Sequence, residues 1–327
     1  MEIISNPTQV DIKKAAQALK DGHLVAFPTE TVYGLGADAT NEKAVSRIYS
    51  VKARPTDHPL IVHISSINQL GKWAVDIPEF AIKLAKEFWP GPMTLILKRS
   101  QLAQNFITGS QESIGLRVPS NPIALALLSQ FENLGGAGVA APSANKFGAL
   151  SATTSEAVYE ELGQVFSEQD LIINGGKCEI GIESTIIECT QDYPAILRPG
   201  YITPEMVKEA TELITNPKTG TQKTKTSGQF KSHYSPAAEV VLGELPGPGE
   251  GFIALEYIPT PKGSIRLASP KSTTEFAQTI YHALRMGDNM NLQKIAVFLP
   301  EENGLGIALK DRLERAANNT NQTRPKS

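Results

Sequence analysis

Apolar residues fall at helical spacing from Pro7 to Leu19, and the run stops at Gly22. HLVAF at 23–27 is a short apolar strand ending at Pro28. The next stretch, PTETVYGLGADATN, is polar and glycine-rich and predicts a loop. A helix is expected from about Asn41, with Ala44, Val45 and Ile48 on one face. PLIVHI at 59–64 reads as a strand. PEFAIKLAKEFW at 78–89 reads as a helix with Phe80, Leu84 and Phe88 as its stripe, ending at Pro90-Gly91. MTLILKR at 93–99 and IGLRVP at 114–119 are strands, and NPIALALLSQF at 121–131 is a helix capped by Asn121. GAGVAAPSAN is a strand running into a polar turn. Thr153 and Glu156 have capping-box spacing for a helix through Leu162. LIIN, STIIEC and AILRPG, near 171–200, give three more short strands, and Thr203-Pro204 opens another helix.

These strands do not alternate regularly with helices, as a doubly wound fold requires. Several follow one another directly. The fold class predicted is therefore α/β, with one large twisted mixed sheet and helices packed around it. Residues 215–232, NPKTGTQKTKTSGQFKSH, are polar and almost free of apolar side chains, as a linker is. Beyond it, GPGEGFIALEYIP, SIRLAS and KIAVFLP give three strand candidates. Ser272 and Glu275 cap a helix to about Met286, and GLGIALKDRLERAANN forms a last one. The expected organisation is a large unit over 1–212, a linker over 213–235, a smaller α/β unit over 236–318 and a polar tail over 319–327. The two units share no internal repeat.

Composition narrows this picture. Hydrophobic residues make up 41% and charged ones 20% of the 327, enough for a real core. A net charge of −3 is no coat for gripping nucleic acid non-specifically, although a local basic cavity is compatible with it. Two cysteines, Cys178 and Cys189, make neither a disulfide framework nor a four-ligand zinc site. Reduced thiols in a cytoplasmic protein are expected. No apolar run reaches membrane-spanning length, so no membrane partner is expected, and the first twenty residues lack signal-peptide order.

Candidate chemistry concentrates in short segments. Thr29, Glu30, Thr31 and Tyr33 crowd together after the strand ending at Pro28, and Gly34 and Gly36 permit close backbone approach. This is either a decorated turn or one wall of a small-molecule site. Lys52 and Arg54 are two apart, and in an extended chain both point the same way, toward several phosphate oxygens. Arg117 lies inside a strand, either on a wet face or paired with an anion in a cavity; Arg198 repeats the arrangement. Four such basic residues at strand ends suggest a shared polyanion site. Thr94, in PGPMTLIL, opens a strand of the same group. PSAN at 142–145 offers Ser143 and Asn145, and ESTI at 183–186 offers Ser184. No triad partners accompany either serine, and His63 is the single histidine in a candidate site region. P-loop, GxGxxG and HExxH patterns are missing. A magnesium ion carried in by a nucleotide is expected.

Eight segments then fall in register: PTETVYGLG at 28–36, KARP at 52–55, PL at 59–60, WPGPMTLIL at 89–97, GLRVP at 115–119, APSAN at 141–145, GIESTI at 181–186 and LRPG at 197–200. With HYSP at 233–236 they make the chain resemble the threonylcarbamoyl-AMP synthase family, in its two-domain Sua5 type with a YrdC-like catalytic domain. The resemblance implies an open α/β catalytic domain around a positively charged cavity and a small Rossmann-like second domain. It implies joining of L-threonine, bicarbonate or CO2 and ATP, with release of pyrophosphate. The product, threonylcarbamoyl-adenylate, is used by a separate tRNA threonylcarbamoyl-transferase complex at adenosine 37.

By the same resemblance Thr31, Tyr33, His63, Arg117 and Ser143 serve threonine. Lys52 and Arg54 are catalytic and face the phosphates, and Thr94, Asn145, Ser184, Arg198 and Tyr234 serve the nucleotide, with Mg2+ arriving on ATP. One segment departs from the family, whose members carry a stretch like SPGMKYRHYSP in the lid. Here it reads TSGQFKSHYSP, with Ser232 where the family has arginine before histidine. Two rival readings exist. An RNA-binding module is opposed by only 6% aromatic residues. A hydrogenase-maturation carbamoyl-adenylate enzyme is opposed by the two cysteines, since such relatives carry zinc-finger segments. Whether the protein touches tRNA directly is left open by the sequence.

Overall fold

The computed structural model describes residues 1–215 and 234–318. Most of the expected linker, 216–233, and the tail from 319 lie outside the described residues. The first unit contributes ten strands: β1 (Glu2–Ser5), β2 (Val25–Phe27), β3 (Gly34–Asp38), β4 (Ile61–His63), β5 (Met93–Lys98), β6 (Ser113–Arg117), β7 (Val139–Ala140), β8 (Leu171–Asn174), β9 (Thr185–Glu188) and β10 (Ala195–Arg198). They form one sheet in the order β1-β8-β2-β3-β7-β4-β6-β5-β9-β10. Parallel pairs such as β4–β6 and β5–β9 sit beside antiparallel ones such as β2–β3 and β5–β6. The mixed sheet predicted from the run of successive strands is therefore what forms.

Helices cover both faces, because alternate residues of the central strands are apolar on both sides. Leu24, Ala26, Leu35 and Ala37 join one core with Trp73, Leu84 and Ile48. Val25, Phe27, Val139 and Ala141 join the other with Leu19, Leu127 and Phe131. In the helix Glu79–Phe88 the buried residues are Phe80, Ala81, Leu84 and Ala85. Burying its Phe80 and Leu84 contributes about 1.5–3 kcal/mol each. The helix Pro122–Asn133 starts as expected, with Asn121 accepting from the amides of Ile123 and Ala124.

Three expectations change. The predicted loop 28–41 contains β3, a wholly buried central strand. Its glycines are needed for close packing: a Cβ at Gly36 would lie 2.8 Å from Val139 Cγ1 and 2.9 Å from Phe27 Cε1. The cap of the helix Ser155–Leu162 is Thr154, whose side chain accepts from Ala157, so the Thr153–Glu156 box does not form. The 135–145 strand shrinks to two residues before the chain turns.

The second unit is an all-parallel four-stranded sheet, with β11 (Glu239–Leu242), β12 (Gly251–Ile253), β13 (Ile265–Ala268) and β14 (Lys294–Val297) in the order β11-β14-β12-β13. Three of these were expected. β11 was missed because its half-exposed Glu-Val-Val-Leu abuts the polar stretch. The helix Thr273–Asn289 is capped by Ser272 as expected and runs one turn further than Met286. It packs directly on the first unit at Gly181 (φ +83°), where a Cβ would meet the Ala277 carbonyl at 2.4 Å. Arg285 pairs with Glu161 at 2.8 Å across the same junction, and both ends are largely buried. Among the described residues no helix is long and apolar enough to cross a membrane.

Candidate active site

Parallel pairing of β4 and β6 sets His63 beside Arg117 at the carboxyl ends of both strands. The strain-free part of the wall is the turn before β3. Thr29 Oγ1 donates to the Val32 carbonyl at 2.6 Å and accepts from the amides of Thr31 and Val32, a side-chain-closed turn. Tyr33 is anchored by its hydroxyl, which donates to Gly176 O at 2.8 Å and accepts from Gly175 N. Its ring, not its hydroxyl, is left for the wall. An isolated bridge between Gly34 and Ser143 brings the 142–145 turn against this one.

Arg117 resolves to the cavity side. Its Nη2 lies 2.7 Å from Glu30 Oε1, both side chains being buried, and its Nε donates to the Gly91 carbonyl. Arg198, at the end of β10, donates from Nε to the Ser184 carbonyl at 3.0 Å and from Nη2 to Ser184 Oγ at 3.1 Å. Thr94 Oγ1 meets the same Ser184 hydroxyl at 2.8 Å. Burial depresses the Arg198 pKa below the usual guanidinium value.

Lys52 and Arg54 require a correction. Lys52 is the last residue of the helix Glu42–Lys52, and Ala53 caps it in the left-handed region (φ 50°, ψ 40°). The segment is not extended, so the shared direction argued from a two-residue spacing does not apply. A non-glycine residue in that region carries about 1–2 kcal/mol of strain. The turn is held by Arg54 N–H donating to Tyr49 O at 2.9 Å. Arg54 then enters the cavity wall, its guanidinium 5.7 Å from the Phe147 ring centroid and its Nη2 donating to Pro59 O. Lys52 instead turns inward, and its fully buried ammonium group donates to the carbonyls of Ser143 and Asn145.

Thr31, Tyr33, Arg54, His63, Arg117, Ser143, Ser184, Arg198 and Tyr234 thus line one cavity. Lys52, Thr94 and Asn145 do not line it and stand one contact behind. Asn145 donates to Lys146 O and Ala149 O, while its buried Oδ1 has no hydrogen-bond partner among the described residues. Thr29, singled out with Thr31 and Tyr33 as a possible wall, also lines the cavity, while sequence reasoning passed over Val32, Ile61, Pro142 and Glu183, which line it too. Glu183 was visible beside Ser184, but an acid is not what a search for a polyanion site selects.

His63 is buried against Phe27, edge to face at 6.1 Å. Burial, and then the charge of Arg117, push its pKa from 6.5 down to about 3. The imidazole is therefore neutral at physiological pH. Between pH 6.5 and 3 the unfolded chain holds a proton on this residue that the folded chain refuses, so stability falls as pH drops through that window. The slope reaches about 1.4 kcal/mol per pH unit. His63→Gln is expected to flatten the denaturation midpoint against pH between 6.5 and 4; equal slopes in both proteins would contradict the buried neutral imidazole.

Comparison with known proteins agrees with this fold. A family model described as telomere recombination, covering Sua5, YciO and YrdC proteins, matches residues 17–200. A second, for the C-terminal domain of threonylcarbamoyl-AMP synthase, matches 202–318. The threonylcarbamoyl-AMP synthase of Pyrococcus abyssi is 38% identical over 325 residues, covering 94% of each chain. That of Bacillus subtilis is 37% identical, covering 97% of this chain and 95% of its own. The crystal structure of P. abyssi Sua5 complexed with L-threonine superposes with a TM-score of 0.86 at 35% identity, over 97% of both chains. The chain belongs to the threonylcarbamoyl-AMP synthase family of nucleotidyltransferases, in its two-domain Sua5 type.

Proposed function

We propose that the cavity joins L-threonine, bicarbonate-derived CO2 and ATP into threonylcarbamoyl-AMP and pyrophosphate, for threonylcarbamoylation of tRNA. The observation that carries this reading is the convergence of Arg54, Arg117 and Arg198 on one cavity, each 7% exposed or less. Guanidinium groups withdrawn from water in this way suit a small polyanion. An RNA backbone needs an open groove, so the binding-module reading is disfavoured.

The chemistry needs no protein nucleophile. The neutral threonine amine attacks CO2 and loses a proton to give a carbamate. A carbamate oxygen then attacks the α-phosphorus, and the bond to the bridging oxygen breaks with pyrophosphate leaving in line. The chain's part is positioning and charge compensation. Arg54 meets phosphate oxygens, backed by Lys52, which secures the 142–145 turn. Arg198 and Ser184 hold the nucleotide, with Thr94 fixing the Ser184 hydroxyl and Asn145 shaping the same end. Tyr234 packs over this half. Thr31, Tyr33, Arg117, Ser143 and a neutral His63 receive threonine. The carboxylates at the cavity, Glu30 and Glu183, are already ion-paired with arginines. Among the described residues no cluster of metal-binding side chains forms. Such a donor set suits magnesium that enters as MgATP, part of the substrate. The product is a labile mixed anhydride, and handover to a cytoplasmic tRNA threonylcarbamoyl-transferase complex follows from that lability.

The test is incubation with ATP, Mg2+ and bicarbonate, with and without L-threonine, reading pyrophosphate and the adenylate by mass. Threonine-dependent appearance of both is expected. ATP binding without either product would overturn the reading.

A further inference from the structure

Among the described residues, Glu183 is the acidic side chain that lines the cavity, and it is held from the other domain. The helix Leu305–Ala317 of the second unit buries Arg312 completely, with 1% of its side chain exposed. Its Nε donates to Glu183 Oε2 at 2.9 Å, and its Nη2 donates to the Pro199 carbonyl at 2.9 Å. Glu183 precedes Ser184, and Pro199 follows Arg198. Arg312 therefore clasps both residues that flank the hydrogen-bonded Arg198–Ser184 pair. Tyr281, from the helix Thr273–Asn289, donates its hydroxyl to Glu183 Oε2 at 3.0 Å, and Ser151 donates to Oε1 at 2.5 Å. Tyr234 fills the angle, stacked on Tyr281 at 5.9 Å and lying under the Arg312 guanidinium at 5.3 Å.

A carboxylate in the wall of a polyanion site is an electrostatic liability. Left alone, Glu183 would repel phosphate and bind the nearest guanidinium, that of Arg198. Burial by itself would raise the Glu183 pKa, yet Arg312 first and Arg198 second outweigh it and hold the acid ionised below the usual carboxylate range. The carboxylate is therefore charged and must be compensated from somewhere. Arg312 does so from outside the catalytic sheet.

We propose that Arg312 is a positioning residue for the nucleotide half of the site, pairing with Glu183 across the domain junction so that the Glu183 charge is compensated there and not left facing the bound anion. On this inference, which rests on the cavity being the ATP site, the second domain is part of the active site and not an appendage. A salt bridge that merely docks two domains predicts something different. Its loss disturbs threonine and ATP alike, so the two KM values would move together.

The experiment measures ATP affinity by calorimetry on the full chain, alongside KM values for ATP and L-threonine. Arg312→Met is expected to weaken ATP by about tenfold or more, because a buried carboxylate is left uncompensated beside the anion. The threonine KM should move less than about threefold. Adding Glu183→Gln to Arg312→Met removes the stranded charge and should restore ATP affinity to within about threefold of the unaltered chain. Equal losses in the single and double variants, or an unchanged ATP affinity in Arg312→Met, would overturn the proposal. If Arg312→Met does not fold, Arg312→Lys decides. It keeps the charge and loses the fork to Pro199, so near-full ATP affinity supports charge compensation, while a tenfold loss refutes it. Failure of the unaltered chain to form the adenylate would count against the proposed function alone, since the calorimetric comparison needs no turnover.

Discussion

Arg54→Ala is expected to reduce turnover by about 10²-fold or more, the usual cost of removing one preorganised transition-state contact. The side chain is 7% exposed and lines the cavity. Burial lowers its pKa, but only to about 10, so it carries a full charge at neutral pH. That charge sits on a side chain withdrawn from solvent, where it is worth more than at a surface. Its planar group is already oriented by Phe147 and by Pro59 O, so little reorganisation is needed when phosphate charge shifts toward the leaving group. Arg54→Lys retains charge and loses this preset plane, and should recover only part of the loss. Folding should suffer less than turnover, since the contacts described for this side chain are one hydrogen bond to Pro59 O and the face of the Phe147 ring. The measurement is threonine-dependent pyrophosphate release per folded molecule, with the thermal midpoint as control. Near-normal turnover in folded Arg54→Ala protein would remove Arg54 from the reaction.

How much of this was legible in the sequence depends on the range of the signal. Local periodicity and caps located the helices at Gln9–Lys20, Glu79–Phe88 and Pro122–Asn133 within a residue or two. Successive apolar runs without intervening helices gave the mixed sheet. Local reading failed where tertiary contact overrides it. Gly34 and Gly36 look like turn residues, yet sit in a central strand, where Phe27 crowds both, with Ala141 beside Gly34 and Val139 beside Gly36. The Lys52–Arg54 spacing looks like one face of a strand, yet a left-handed Ala53 separates a clamp from a cavity residue. Nine of the twelve site residues drawn from the resemblance share the cavity wall, because in-register segments report what one chain's periodicity cannot. Glu183 and Arg312 stand 129 positions apart, and no single-sequence pattern links an acid to a base on another domain's helix.

Lys52→Ala carries the other large expectation, for a different reason. Its ammonium group is fully buried and bridges the carbonyls of Ser143 and Asn145. Truncation takes the described donor from the Asn145 carbonyl, at about 1–3 kcal/mol, and one of two donors from the Ser143 carbonyl, which still accepts from Asn145 N–H, so the thermal midpoint should fall, unlike in Arg54→Ala. The 142–145 turn that presents Ser143 loosens at once, and turnover should drop by about 10²-fold or more, because loss of angstrom-level positioning is costly. Proton traffic separates the roles of clamp and anion partner. Burial first, and the neighbouring Arg54 second, hold the Lys52 pKa well below 10.5. A polyphosphate nearby favours the ammonium form and raises that pKa. At any pH between the two values, ATP binding takes up a proton, and apparent affinity falls as pH rises. Calorimetry in two buffers of different protonation heat should therefore detect uptake in the unaltered chain and not in Lys52→Ala. Equal uptake in both would leave Lys52 as a clamp alone, and undiminished turnover would remove it from both roles.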